Sequence, residues 1–119
     1  MIHQRKKLGS SGEDIAVSYL IKKNYKILDR NVELKFGEID IIASDGDYIV
    51  LIEVKTKKQF TQGSAEEMVD FFKQKKLRLL SQIIQQKYPN KSIRIDVIAI
   101  NIVDNNFKIN HLVNAVEGK

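Results

Sequence analysis

Cysteine is absent from the 119 residues, which excludes a disulfide scaffold, a thiolate zinc site and a cysteine nucleophile. The absence also fits a reducing compartment. Proline occurs once, at Pro89, so little interrupts regular structure before that point. No apolar run approaches the length of a membrane span. Met1 to Gly12 is basic and polar and lacks the hydrophobic stretch of a secretion signal. The expectation is a cytoplasmic protein without membrane contact. Internal repeats, low-complexity tracts and linkers are also missing. With 43% hydrophobic and 29% charged residues, the composition is that of a folded globular chain. The length suits one domain over 1–119, with 1–10 as a flexible basic tail.

What is present begins with charge. The net charge of +5 suggests a polyanionic partner, and its distribution sharpens the suggestion. Arg5, Lys6 and Lys7 form one basic cluster, Lys55, Lys57 and Lys58 a second, and Lys73, Lys75, Lys76 and Arg78 a third. Each would equally serve as a solvated face. Aromatic residues do not cluster into the stacking platform that single-strand binders use. Tyr19, Tyr25, Phe71 and Phe72 are expected in the core.

Hydrophobic periodicity predicts the order helix, three strands, helix, two strands. That is an α/β fold, a mixed sheet flanked by helices. Ser11 is a candidate N-cap, with Asp14 three residues on, and Ile15, Ala16, Tyr19 and Leu20 recur at helical spacing. The helix should end near Lys23, with Asn24 as the stop. Strand-like runs follow over Tyr25 to Leu34, Glu38 to Ser44 and Tyr48 to Lys57. Asp45-Gly46-Asp47 supplies a hairpin turn between the last two. Gln59 to Ser64 reads as a loop. A long helix is expected from Ala65 to about Tyr88, burying Met68, Phe71, Phe72, Leu79, Leu80, Ile83 and Ile84 before Pro89-Asn90 ends it. Strands over Ile93 to Asn101 and Phe107 to Val113 flank a second turn at Asp104-Asn105-Asn106.

The chemistry lies in the first hairpin. Side chains alternate faces along a strand, which places Glu38 with Asp40, and Glu53 with Lys55, opposite Ile39 and Ile41. A turn at Gly46-Asp47 would set Asp40 across from Glu53 and Glu38 across from Lys55. A turn at Asp45-Gly46 would set Glu38 across from Glu53. Opposed residues have Cβ atoms roughly 4.5–5.5 Å apart, a distance at which two like charges destabilise a sheet. A hard dication such as Mg²⁺ or Mn²⁺ between them removes the conflict. Such an ion can polarise a phosphoryl oxygen and acidify a bound water, and Lys55 could orient that water or offset phosphate charge. Acids and lysines on a half-exposed sheet also form ordinary salt bridges. Against that, Ile-Glu-Val-Lys ends an apolar run, where a charge needs a partner or a role.

Asp40 with Glu53-Val54-Lys55 resembles the signature of the PD-(D/E)XK nuclease superfamily. A closer resemblance spans nearly the whole chain. Gly9-x-x-Gly12-Glu13-x-x-Ala16, Arg30-Asn31, Gly37-Glu38-Ile39-Asp40-Ile41-Ile42, Glu53-Val54-Lys55-Thr56, Lys73, Arg94-Ile95-Asp96-Val97 and His111-x-x-Asn114-Ala115 occur in order. In these the chain resembles the YraN family of small bacterial proteins, which is similar to the archaeal Holliday-junction resolvases. The resemblance implies a restriction-endonuclease-like fold and Mg²⁺- or Mn²⁺-dependent cleavage of phosphodiesters in DNA, with branched DNA as substrate. It further implies a homodimer and Glu13 as an additional acid near the metal. Glu13 would otherwise be a first-turn acid favoured by the helix dipole. Lys57 stands where an arginine is common in the family, and Val116 where an aromatic is common.

The expected catalytic set is therefore Asp40, Glu53, Lys55 and Glu13, with Asp40, Glu53 and Glu13 on the metal and Glu38 in support. Lys57, Lys58, Lys73, Lys76, Arg94, Arg5, Lys6 and Lys7 are the candidates for contact with nucleic acid. Arg94 and Asp96 read first as a salt bridge and second as a phosphate contact. His111 reads as a packing histidine rather than a metal ligand. Two other functions compete with an endonuclease: a non-catalytic nucleic-acid-binding module acting beside a partner, and a protein-interaction domain.

Overall fold

A computed structural model describes residues 3–58 and 71–115, with side chains over 12–58 and 74–115. The expected element order is the observed one. Helix α1 (His3–Lys22) is followed by β1 (Lys26–Leu34), β2 (Gly37–Asp45), β3 (Tyr48–Lys58), α2 (Phe71–Lys87), β4 (Ser92–Val103) and β5 (Asn106–Leu112). The strands lie side by side in chain order, antiparallel except for the parallel β3–β4 pair. Helix α2 lies on the β3-to-β4 connection, as a parallel pair requires. No helix among the described residues is long and apolar enough to cross a membrane.

Each helix covers one face of the sheet. Ala16 and Leu20 of α1 pack on Ile41, Ala43, Val50, Ile52, Ile98 and Ile100. Leu77, Leu80 and Ile84 of α2 pack on Ile39, Ile42, Ile49, Leu51 and Ile95. The buried stripe of α2 differs from expectation at one point, because Leu77 is buried and Leu79 is 43% exposed. Leu77, Leu80 and Ile84 keep the i, i+3, i+7 spacing of one face, and Leu79 falls outside it. The loop expected over Gln59 to Ser64, the first residues of the long helix and Met68 lie outside the described residues.

Helix α1 starts eight residues before the expected N-cap at Ser11 and takes in most of the segment read as a flexible tail. Gln4 to Leu8 is a run of good helix formers, and the Gly9-Ser10-Ser11-Gly12 stretch does not break it. Gly12 has a packing reason to be there. A Cβ at this position would collide with Oγ1 of Thr56 on β3, so the missing side chain lets α1 sit directly on the sheet. In an exposed helix, Gly→Ala usually gains up to about 1 kcal/mol. Here Gly12→Ala should lose about 1–3 kcal/mol through overpacking. Adding Thr56→Ala should recover most of it. Urea unfolding of the two variants checks this, and a stabilised single variant would contradict the close seating.

The C-terminus of α1 ends at Asn24 as expected. Asn24 takes φ 71°, Tyr25 N–H donates to Leu20 O, and Asn24 N–H donates to Ile21 O. That pair of bonds is a Schellman cap. The β2–β3 hairpin turns at Gly46-Asp47, with Asp45 paired to Tyr48 and Gly46 at φ 61°. The β4–β5 hairpin turns at Asp104-Asn105, both at positive φ, the pattern of a type I′ turn.

Candidate functional site

The hairpin register is the one that a Gly46-Asp47 turn dictates, but the ladder stops short of the acids. Its last rung is Ile41–Ile52. Asp40 and Glu53 are the next residue on each strand, and there the strands part. A carboxylate oxygen of Asp40 (Oδ2) accepts a hydrogen bond from Val54 N–H at 2.8 Å. The side chain thus reaches a backbone donor of the neighbouring strand.

Strict alternation also fails at this point. Ile39 packs with the α2 cluster and Ile41 with the α1 cluster, whereas alternation puts both on one face. The cause lies on β1. Asn31, between the Arg30–Ile41 and Val32–Ile39 rungs, adopts φ 52°. That left-handed residue reverses the pleat of β1 opposite Asp40, and β2 follows it. Asparagine tolerates this conformation better than other residues with a Cβ. The expected pairing of Glu38 with Lys55 is absent from the ladder, and Glu38 pairs with Glu33 of β1 instead.

On β3 the alternation holds. Glu53 is 3% exposed and Lys55 Nζ lies 3.3 Å from its Oε2. Both lie on the α2 face, in line with Ile49 and Leu51. The nearly buried carboxylate thus has an ammonium group directly beside it.

Glu13 belongs to the other side of the sheet, on α1. Its carboxylate lies 3.8 Å from Arg30 Nη2, which bonds Asp14 at 2.8 Å. Among the described residues no three of His, Cys, Asp and Glu converge closely enough to hold a metal ion. The expected three-acid set of Asp40, Glu53 and Glu13 is therefore not assembled as a group. Asp40 and Glu53, at the head of the split, are the pair that neighbouring strands bring to one level.

The expected basic residues sort by position. Lys57 follows Lys55 on the α2 face, while Lys58 falls on the α1 face and is exposed. Lys76 of α2 is exposed and lies across Gly37, where a Cβ would strike its side chain. Lys73 stands on α2 and Arg5, Lys6 and Lys7 on α1, but their side chains lie outside the described residues. Since α1 meets the end of β3 at Gly12 and the start of β1 at its cap, the basic triplet stands toward the end of the sheet where β3 terminates.

Arg94 is turned inward, as its salt-bridge reading expected. Its Nε and Nη2 bond Asp96 at 2.9 and 3.0 Å, Nη1 bonds Asp45 at 3.1 Å and Nη2 bonds Tyr25 Oη at 2.7 Å. Those bonds engage the guanidinium within the fold, so its phosphate role gives way to a structural one. Asp96 is fully buried and also accepts from His111 Nε2 at 2.7 Å and Asn114 N–H at 2.9 Å. With two donors on each oxygen, its lone pairs are filled. Because an ionised Asp96 can only accept, Nε2 of His111 carries the proton. Nδ1 lies 3.1 Å from Tyr19 Oη, within hydrogen-bond distance. Burial opposes the charge on Asp96, yet the His111, Arg94 and Asn114 donors outweigh it and hold the carboxyl below its ordinary range. Burial, with the Asp96 charge adding to it, pushes the Tyr19 phenol up. His111 is a satisfied histidine in a polar network, as its packing reading expected.

Three features were not legible in the sequence. The contact of Arg30 with Glu13 and the left-handed Asn31 both lie in the Arg30-Asn31 block, which the family resemblance marks without saying what it does. Tyr19 reads as a core aromatic because its helical spacing hides the bond to a histidine 92 positions away.

These features define a class: an α/β domain in which a mixed sheet opens between an aspartate strand and a Glu-x-Lys strand. The chain belongs to the family described as uncharacterised protein family UPF0102, whose model matches residues 12–100. It is 45% identical over 115 residues to a UPF0102 protein of Thermodesulfovibrio yellowstonii, covering 93% of this chain and 96% of that one. It is 42% identical over 116 residues to a UPF0102 protein of Alkaliphilus oremlandii, covering 92% and 97%. A third, from Caldanaerobacter subterraneus, is 40% identical over 116 residues, covering 93% and 95%.

Proposed function

We propose that this protein is a Mg²⁺- or Mn²⁺-dependent endonuclease that hydrolyses phosphodiesters in DNA, with branched DNA as its substrate class. The observation that carries the reading is the split hairpin. Asp40 is fixed by the Val54 peptide at the gap, and beside it the nearly buried Glu53 is paired with Lys55.

The donor set suits a hard dication. Asp40 and Glu53 offer carboxylate oxygens from neighbouring strands, the sequence has no cysteine, and His111 is engaged with Asp96. Asp40 and Glu53 would hold the ion. When bound, it supplies Lewis-acid polarisation of the phosphoryl oxygen and a more acidic bound water. Lys55 balances the carboxylate charge before substrate arrives. Once a phosphate enters, its ammonium can donate to the attacking water or to a phosphoryl oxygen. Arg30 limits the part of Glu13, because its guanidinium already offsets the charge of that acid. Lys57 and Lys76, with the basic segment of α1, are the candidates for holding the nucleic acid backbone.

One observation favours a second reading, a nucleic-acid-binding module without catalysis. No three-acid group converges among the described residues, so the site has fewer protein ligands than a dedicated metal cage. Incubation with branched and flap DNA plus Mn²⁺ separates the two. The endonuclease reading expects cleavage by the wild type that Asp40→Ala and Glu53→Ala remove. Equal residual cleavage in all three means a contaminant, and steeply salt-dependent binding without cleavage supports the module.

A further inference from the structure

We infer that β5 extends the substrate path, with Lys108 as a phosphate-binding residue on the same sheet face as Glu53 and Lys55. The inference rests on the nucleic-acid reading above and adds where the backbone runs. Its basis is register. In the β3–β4 pair Lys57 faces Asn101, and in the β4–β5 pair Asn101 faces Lys108. One row therefore crosses three strands as Lys57, Asn101 and Lys108. The neighbouring row is Lys55, Ala99 and Asn110. Paired residues share a face, so both rows lie on the side that holds Glu53. The opposite face of these strands is apolar, with Ile100 and Ile109 against α1.

Charge and space agree with a backbone track. Lys108 and Asn110 are exposed.

 Ala99, between Lys55 and Asn110 in its row, is buried. Together these two rows carry three lysines and two asparagines and no acid. Strands lie about 4.8 Å apart, so Lys57 and Lys108 stand roughly 10 Å apart. One nucleic acid strand advances about 3.4 Å per nucleotide, so the two lysines span about three nucleotides. Lysine and asparagine on such a row read phosphate and sugar rather than base sequence. The competing structural role is an edge-strand lysine that blocks sheet-to-sheet association. That role predicts no effect on DNA.

The test uses the full chain carrying Asp40→Asn, so that bound DNA is not cut, and a fluorescein-labelled three-way DNA branch. Anisotropy titrations over a range of KCl give the slope of log K against log salt. Lys108→Ala should weaken binding about fivefold at moderate salt and reduce the slope by about 0.9, as should Lys57→Ala. Lys108→Arg should keep the slope. Lys26→Ala removes the same charge from the start of β1, at the far end of the sheet, and should leave the slope alone. Thermal melts confirm that each variant is folded. An unchanged slope in Lys108→Ala, with a reduced one in Lys57→Ala, overturns the β5 path and leaves the nuclease reading intact. Equal effects from Lys26→Ala and Lys108→Ala overturn it as diffuse charge. Absence of DNA binding by the parent protein removes the reading on which the inference rests.

Discussion

Asp40→Asn should lower Mn²⁺-dependent cleavage of branched DNA by about a thousandfold while leaving the fold in place. Asparagine has the same shape as aspartate, and its amide oxygen can still accept the Val54 N–H bond that holds the gap between β2 and β3. What it loses is the negative charge. The substitution therefore separates the backbone bond that the carboxylate closes from the dication binding proposed for it. Asp40→Ala would remove both, so its loss of activity would be harder to interpret. Single-turnover cleavage and a thermal melt of the same preparation check the prediction. Activity within tenfold of wild type would place the chemistry elsewhere. A collapsed melting transition would make Asp40 a structural residue first.

The second large effect concerns stability. Asp96→Ala should destabilise the protein by about 3–5 kcal/mol, the range for removing one partner of a buried ion pair. The loss goes beyond one contact. Arg94 Nε, His111 Nε2 and the Asn114 peptide would lose their acceptor inside the protein, and Arg94 Nη2 would keep only Tyr25 Oη. His111 and Asn114 anchor the end of β5, so the edge strand should loosen first. A pH dependence follows from the same carboxylate. Its pKa is depressed in the folded state, so its contribution is complete above the ordinary carboxylate range. The contribution is lost as pH falls through the folded value. Wild-type stability should therefore decline in acid, and Asp96→Asn should flatten that decline while lowering stability at neutral pH. Urea unfolding at neutral and acid pH measures both. A loss below about 1 kcal/mol for Asp96→Ala would mean that the network adds little to stability.

The order of elements and the position of the acids on adjacent strands were legible in the sequence because both rest on local periodicity. Asp45-Gly46-Asp47 set the hairpin, and the apolar runs around Ile41 and Ile52 set its pairing. The break at Asp40 was not legible. It depends on a left-handed Asn31 in a different strand, and nothing near Asp40 announces that the pleat reverses. The start of α1 was hidden for another reason. Gly9-Ser10-Ser11-Gly12 has the composition of a helix boundary, and the reason for Gly12 is a contact with Thr56 far along the chain. Arg94 shows the same limit from the opposite side. Its salt bridge to Asp96, two residues along the same strand, was legible, whereas its second acid, Asp45 of β2, was not. Local pattern thus located the candidate site, while long-range partners decided which of its residues the fold engages elsewhere.

Mn²⁺ calorimetry on wild type and Asp40→Ala tests the central claim most directly, since it needs no substrate. The account predicts saturable binding by the wild type and its loss in the variant, with Glu53→Ala behaving likewise. Equal binding by wild type and Asp40→Ala, or none by the wild type, would contradict a metal site at the parted strands.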